Sequence, residues 1–291
     1  MVSFPTSPTK VISEDTAIGL KGQLHDFENF PSKFVEARTI SVWLPKDYTS
    51  HPERTYSVWY MHDGQNLFIP SRSFIGVDWG VDETMTSLVD SGKIDPVIVV
   101  GIYNTPKRTE EYSPKKAFDL VPDEVRRGFI ERFGLRMKPI SDEYLKFLVN
   151  ELKPFIDSTY RTKRDPANTF VAGSSMGGLI SAYAICEYPS VFGAAACIST
   201  HFPAGEGIMI DYLEKSLPSP ENHKIYFDFG TKTLDSSYEP YQMRADSVMK
   251  RKGFEEGRSW VTKKFVGDEH SERAWRNRFS IPVTFLMSTQ P

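Results

Sequence analysis

Cysteine is scarce in this sequence, with Cys186 and Cys197 the two examples. Two cysteines cannot build a disulfide framework, and both lie in apolar runs, so they read as small buried hydrophobes. No Cys/His group has metal-ligand spacing. Charge of one sign is also missing: 35 Lys and Arg stand against 38 Asp and Glu, for a net charge of -3. That balance excludes nucleic acid or an anionic membrane as the main partner. No apolar run is long enough to span a bilayer. The opening residues MVSFPTSPTK lack the charged and apolar regions of a secretory signal, so the chain is either cytoplasmic or already processed, and the initial Met favours a cytoplasmic location. Repeats, low-complexity segments and linkers are absent, which predicts one domain over residues 1–291.

What is present is an ordinary globular composition, 40% hydrophobic and 25% charged. After a loose start to about Asp15, Arg38 to Leu44 and Val58 to Met61 read as strands. Val81 to Leu88 reads as a short helix, and Pro96 to Ile102 as a strand buried on both faces. Residues 103–140 form a long polar insertion near the expected site, with a helix predicted over Asp123 to Phe133. A longer helix begins at Ser141, with Tyr144, Leu145, Leu148, Leu152, Phe155 and Ile156 at helical spacing. Strands follow at Thr169 to Ala172, Phe192 to Ile198, Lys224 to Phe229 and Trp260 to Val266. Thr200 to Pro220 reads as a loop with room for one helical turn, Tyr241 to Met249 as a helix, and Ser271 to about Met287 as a terminal helix interrupted at Pro282. Alternating strands and helices predict an α/β fold, a mostly parallel central sheet with helices on both faces.

The stretch Asn168 to Ser181 organises the rest. A short apolar strand, Gly173-Ser-Ser-Met-Gly-Gly178 and then a helical run give the strand–turn–helix context of a nucleophile elbow, with Ser175 lifted above the sheet edge. A serine hydroxyl is a weak nucleophile at neutral pH, so it needs a base, and the base needs a carboxylate to hold its tautomer. His270, in the turn after the last strand, is the expected base, with His201 and His223 as the other candidates. Asp235, in the turn after the preceding strand, is the expected acid. Asp228 reads as a structural partner in the core and Glu239 as a later alternative. Oxyanion donors are expected at the backbone N–H of Met176, next to the nucleophile, and of Gln65, in the turn after an earlier strand.

His62-Asp-Gly-Gln-Asn-Leu-Phe68, Arg108-x-x-Glu-Tyr112, the elbow, Gly230-Thr-x-x-Leu-Asp235 and His270-x-Glu-x-x-Trp275, taken together, resemble the putative esterase family of α/β-hydrolases. That family includes feruloyl and acetylxylan esterases, enterochelin-type esterases and the esterase D group. The resemblance runs from about residue 30 to the end. It implies an α/β-hydrolase fold and a Ser175, Asp235, His270 triad. The expected reaction is hydrolysis of a carboxylic ester through an acyl-enzyme, without a metal or organic cofactor. Acylated carbohydrates carrying acetyl or feruloyl groups are the substrates this resemblance favours. A siderophore lactone or a thioester is the alternative on the same fold, and a non-catalytic ligand-binding relic is the alternative of another class. Trp79, Arg108 and Tyr112 are the candidate substrate contacts. The loop aromatics, which also include Phe68, Phe74, Tyr103 and Phe202, serve equally well as packing. Arg108 either pairs with Glu111 to shape its loop or meets an anionic substrate group. The oligomeric state is not legible.

Overall fold

Among the described residues, short runs rich in β-branched and aromatic residues set most of nine strands, the alanine-rich Ala194–Ile198 being an exception. In chain order they are β1 (Lys10–Ser13), β2 (Gln23–Phe30), β3 (Arg38–Leu44), β4 (Ser57–His62), β5 (Val97–Ile102), β6 (Thr169–Ser174), β7 (Ala194–Ile198), β8 (Lys224–Gly230) and β9 (Trp260–Phe265). A computed structural model, which describes residues 3–14, 19–120 and 138–287, joins them into one nine-stranded sheet in the order β1-β2-β3-β5-β4-β6-β7-β8-β9. β1 to β3 are antiparallel, and β3 meets β5 antiparallel. From β4 to β9 every pairing is parallel. The strand order therefore reverses between β4 and β6, where open α/β sheets leave a crevice at the carboxyl ends of the strands.

The α-helices among the described residues are α1 (Val81–Asp90), α2 (Arg108–Tyr112), α3 (Lys115–Asp119), α4 (Ser141–Phe147), α5 (Lys153–Thr159), α6 (Met176–Glu187), α7 (Ile208–Ser216), α8 (Glu239–Arg251), α9 (Glu272–Arg278) and α10 (Ser280–Met287). One face of the sheet is covered by α4 to α8 through residues such as Tyr144, Leu179, Leu213 and Met249. The other is covered by α1, α9 and α10 through Met85, Trp275 and Val283. In β4, Val58 and Tyr60 enter the first core and Trp59 and Met61 the second, as a two-residue period requires. No helix among the described residues is long and apolar enough to cross a membrane.

The structure departs from the sequence reading in several places. The start is not loose throughout, because β1 pairs with β2. β2 has no clean alternation to read: its register shifts between Phe27 and Phe30, and Asn29 takes a φ of 53°. The segment expected as a loop after Thr200 contains α7, which buries Met209, Ile210 and Leu213 against α6. Helix α4 runs into α5 through a widened π turn at Leu148–Leu152, just ahead of Pro154, which has no N–H to give the ladder. The terminal helix breaks at Phe279 and not at Pro282, which sits in the first turn of α10, where a missing N–H costs nothing. The helix predicted over Asp123 to Phe133 lies outside the described residues.

Candidate active site

The elbow forms because β6 stops at Ser174 and α6 starts at Met176, leaving one residue to turn the chain. That residue, Ser175, has φ 58° and ψ -121°, a strained conformation for a residue with a side chain. The turn closes only with glycine on its flank: a Cβ on Gly173 would lie 2.7 Å from the Gly177 carbonyl carbon. Neighbouring backbone pins it. Ser175 N–H donates to the Ile198 carbonyl at 2.9 Å, and the Ser175 carbonyl accepts the His201 N–H at 3.1 Å.

His270 and Asp235 come from the loops after β9 and β8, which are stitched together. His270 N–H donates to Thr233 Oγ1 at 2.8 Å, Gly267 N–H donates to Thr231 Oγ1 at 2.8 Å, and the Thr231 and Lys232 amides share the Asp268 carbonyl. His270 Nδ1 then meets Asp235 Oδ1 at 2.5 Å, which makes Nδ1 the protonated nitrogen and leaves Nε2 as the basic one. The other oxygen, Asp235 Oδ2, accepts Ser199 Oγ–H and Gly230 N–H, both at 2.6 Å. Burial pushes the Asp235 carboxyl up, yet its hydrogen bonds from His270, Ser199 and Gly230 prevail and hold it below the usual carboxylate range.

A second buried array holds Asp235. Ser199 Oγ accepts from Trp275 Nε1 at 3.0 Å and from Arg278 Nη2 at 2.8 Å. Arg278 also pairs with the fully buried Asp228, whose Oδ1 accepts the Ser199 N–H at 2.9 Å. Asp228 thus belongs to the support of the site. Sequence reasoning missed Ser199 and Arg278, which sit in unremarkable local patterns; Trp275 was visible as part of the His270 motif.

The turn after β4 carries Gln65. A Cβ on Gly64 would lie 2.5 Å from the Gly101 carbonyl carbon, so only glycine lets the short 3-10 helix Gly64–Asn66 lie this close to β5. As first-turn residues, Gln65 and Met176 have N–H groups without partners inside their own helices. Asp63 lies between the two turns, since a Cβ on Gly177 would be 3.4 Å from Asp63 Oδ2. Arg108 clamps that carboxylate from both ends, Nε to Oδ1 at 2.7 Å and Nη2 to Oδ2 at 2.8 Å, while Asn104 Nδ2 adds a bond of 2.7 Å. Burial would raise the Asp63 pKa, and Arg108 overcomes it and lowers it.

Arg108 does not pair with Glu111, as the alternative within the sequence reading supposed. Glu111 faces the sheet and holds the buried Arg38 in a two-pronged pair, with Nη1 to Oε2 at 2.8 Å. Trp79 and Tyr112 are 2% and 0% exposed. Trp79 packs on Trp275 and Phe279, and Tyr112 OH accepts the Asp63 N–H at 3.3 Å, so both lie behind the site as its support. Arg108 keeps 30% of its side chain exposed. Among the described residues, the carboxylates that could hold a metal together are Asp78, Asp82 and Glu83, and Arg276 already pairs with Asp78 and Glu83.

The parallel sheet, the elbow at its switch point and the loops gathered over its carboxyl edge define an α/β-hydrolase fold. Residues 32–281 match the family described as "Putative esterase", and the chain belongs to that family. It is a carboxylic ester hydrolase. An uncharacterized protein, YbbA, of Bacillus subtilis (strain 168) is 26% identical over 197 residues, which are 67% of this chain and 68% of that protein. An endo-1,4-beta-xylanase/feruloyl esterase of Xylanibacter ruminicola is 28% identical over 182 residues, 57% of this chain and 20% of that much longer protein. Among solved structures, a ferulic acid esterase superposes with a TM-score of 0.65 at 18% identity, covering 96% of this chain and 98% of that one. An enterochelin esterase from Shigella flexneri gives 0.63 at 18% identity, covering 90% and 57%. Both likenesses speak for the fold.

Proposed function

We propose that the protein is a serine esterase that works through an acyl-enzyme on Ser175, with His270 as base and Asp235 as its orienting acid. The observation that carries this reading is the 2.5 Å contact from His270 Nδ1 to the buried Asp235, itself fixed by two further hydrogen bonds. His270 Nε2 takes the serine proton as Oγ attacks the ester carbonyl, and returns it to the leaving alcohol. Water then gives a proton to the same nitrogen, attacks the acyl carbon, and the acid departs as Ser175 is reprotonated. The Met176 and Gln65 amides face the oxyanion in both steps. The one continuous sheet from β1 to β9 supports a single folding unit, and Asn104 and Arg108, from the segment that follows β5, lie beside the site through their bonds to Asp63.

The substrate we propose is an acylated carbohydrate carrying an acetyl or feruloyl group, supported by sequence similarity to the xylanase/feruloyl esterase. Arg108 weighs against a lactone of acidic catecholates, because its guanidinium is already neutralised by Asp63. The test is single-turnover kinetics with p-nitrophenyl acetate and a feruloyl sugar, following protein mass on wild type, Ser175→Ala and His270→Ala. A burst with an acyl mass adduct on wild type alone is expected. Full activity in Ser175→Ala would overturn the mechanism, and a faster reaction with a triscatecholate lactone than with the feruloyl sugar would overturn the substrate.

A further inference from the structure

His201 stands beside the triad and takes no part in it. It lies in the loop after β7, half-buried, and its backbone N–H donates to the Ser175 carbonyl at 3.1 Å. Its Nδ1 is 2.6 Å from the hydroxyl of Tyr238, a residue 2% exposed that directly follows the turn bearing Asp235. The Tyr238 ring bridges two imidazoles, its centroid 5.7 Å from that of His201 and, edge-on, 5.8 Å from that of His270.

The contact with Tyr238 fixes the tautomer of His201. A buried phenol must give its proton to an acceptor, and among the described residues the acceptor it reaches is Nδ1. A proton on Nδ1 would meet the phenol proton head-on, so Nδ1 accepts and the single ring proton of the neutral imidazole sits on Nε2. Burial, joined by the nearby charges of His270 and Arg108, lowers the His201 pKa to about 4, so the ring stays neutral and keeps this tautomer at neutral pH. Nε2 has no hydrogen-bond partner among the described residues and is not a buried atom. Its N–H is therefore an oriented, uncharged donor open to solvent at the carboxyl edge of the sheet. Stereochemistry says which half of an ester meets it. The leaving oxygen must lie at His270 Nε2, which returns the proton to it. Asp235 and His270 follow β8 and β9, on the β7 side of the nucleophile strand β6, whereas Gln65 follows β4 on the other side. With the carbonyl oxygen drawn to Gln65 and Met176, the alcohol extends over the loops after β7, β8 and β9. An imidazole without charge offers an anion no counter-charge to offset its desolvation, and a neutral hydroxyl oxygen needs none.

We infer that His201 is a specificity-determining residue whose Nε2–H donates to a hydroxyl oxygen on the alcohol half of the ester, so that esters of polyhydroxylated alcohols such as sugars are favoured over those of simple alkanols. Tyr238 acts through His201, by holding its tautomer, and is a positioning residue. The inference deepens the serine-esterase reading and rests on it.

The experiment measures kcat/KM on a methyl feruloyl-arabinoside and on ethyl ferulate, which share an acyl group and differ in the alcohol. It compares wild type, His201→Gln, whose side-chain amide places an N–H near that of Nε2, and the double variant His201→Phe with Tyr238→Phe. The double change removes donor, acceptor and phenol together, so no buried polar group is stranded. Melting temperatures are recorded alongside. The sugar-to-ethyl ratio of kcat/KM should fall by about threefold to tenfold in the double variant, the range for one neutral hydrogen bond, and His201→Gln should recover most of it. A histidine with a structural role alone would slow both esters alike and leave the ratio where it was. An unchanged ratio in the double variant, or a ratio no higher in His201→Gln than in the double variant, would each overturn the inference. Labelling of Ser175 by a fluorophosphonate in the presence of methyl arabinoside, followed by mass, separates this result from the parent reading. If wild type is labelled but turns over neither ester, the proposed function fails alone. The inference then stands if the sugar slows labelling of wild type more than of the double variant, and falls if it slows both equally. If Ser175 is not labelled at all, both fall.

Discussion

The two edges of the parallel sheet differ in kind. At the amino ends of β4, β7 and β8 lies an open depression of about 860 Å³, with Lys93, Lys163, Asn168, His223 and Arg258 among its lining. At the carboxyl ends, Ser175, Asp235, His270, Asp63 and Arg108 are knit into hydrogen bonds of 2.5 to 3.3 Å that run from loop to loop. Volume marks the first edge and preorganisation the second. Catalysis depends on donors and acceptors that are already aimed, since reorienting them during the reaction costs energy. Fixing them takes buried charge and strain, which a folded chain tolerates only where the surroundings over-determine the geometry.

The contrast breaks most plainly at Ser175. Ser175→Ala should lower ester turnover by about 10⁴-fold or more, whereas paired Lys93→Ala and Arg258→Ala changes at the other edge should leave it within about twofold. Steady-state kinetics on p-nitrophenyl acetate measures both, and a large loss in the amino-edge variant would overturn the comparison. Next comes the acid. Asp235→Asn should keep the fold but cost about 10³- to 10⁴-fold in kcat, because an amide no longer stabilises the Nδ1–H tautomer of His270. Trp275→Phe, which removes one donor to Ser199, should cost less, about threefold to tenfold, as a neutral hydrogen bond to the group behind the acid.

Stability sharpens the same comparison. Asp63→Ala leaves the Arg108 guanidinium without its counter-charge, and denaturant unfolding should show a loss of about 2–3 kcal/mol, towards the lower end for a broken pair because Arg108 is partly exposed. The acid response has a different source. His62 is buried with Nδ1 2.8 Å from the Tyr144 hydroxyl, and burial lowers its pKa from 6.5 to about 3. Between those values the unfolded chain binds a proton that the folded chain refuses, so stability falls as pH drops below about 6.5, at up to ~1.4 kcal/mol per pH unit. From pH 7 to pH 5 wild type should lose about 2 kcal/mol more than His62→Gln, measured as the shift in urea midpoint. Equal losses in the two proteins would remove His62 from the account. Asp63 and Asp235, both held below the ordinary carboxylate range, contribute stability that is lost only at lower pH, as each is protonated.

Much of the parallel half of the sheet was legible because its strands are buried on both faces and so read as unbroken apolar runs, as in Val97–Ile102. β2 was not legible, since its bulge breaks the alternation that marks a half-buried strand. Helix α7 was read as no more than a single turn because its apolar face has meaning only against α6. Local chain chemistry also brought out the elbow, because the turn after β6 needs small residues at fixed spacing whatever surrounds it.

The sequence by itself determined the α/β order of elements, the place of the elbow and the residue types set around it, since these follow from periodicity and from the steric demands of one sharp turn. Tertiary structure alone decided the partners. Arg108 meets Asp63, Glu111 meets Arg38, and Ser199 joins Asp235 to Trp275 and Arg278. A charge or hydroxyl carries no signal along the chain of which distant group it will meet. Pairing is settled by which loops the sheet brings to one edge, and by burial, which leaves no polar group without a partner except at a cost.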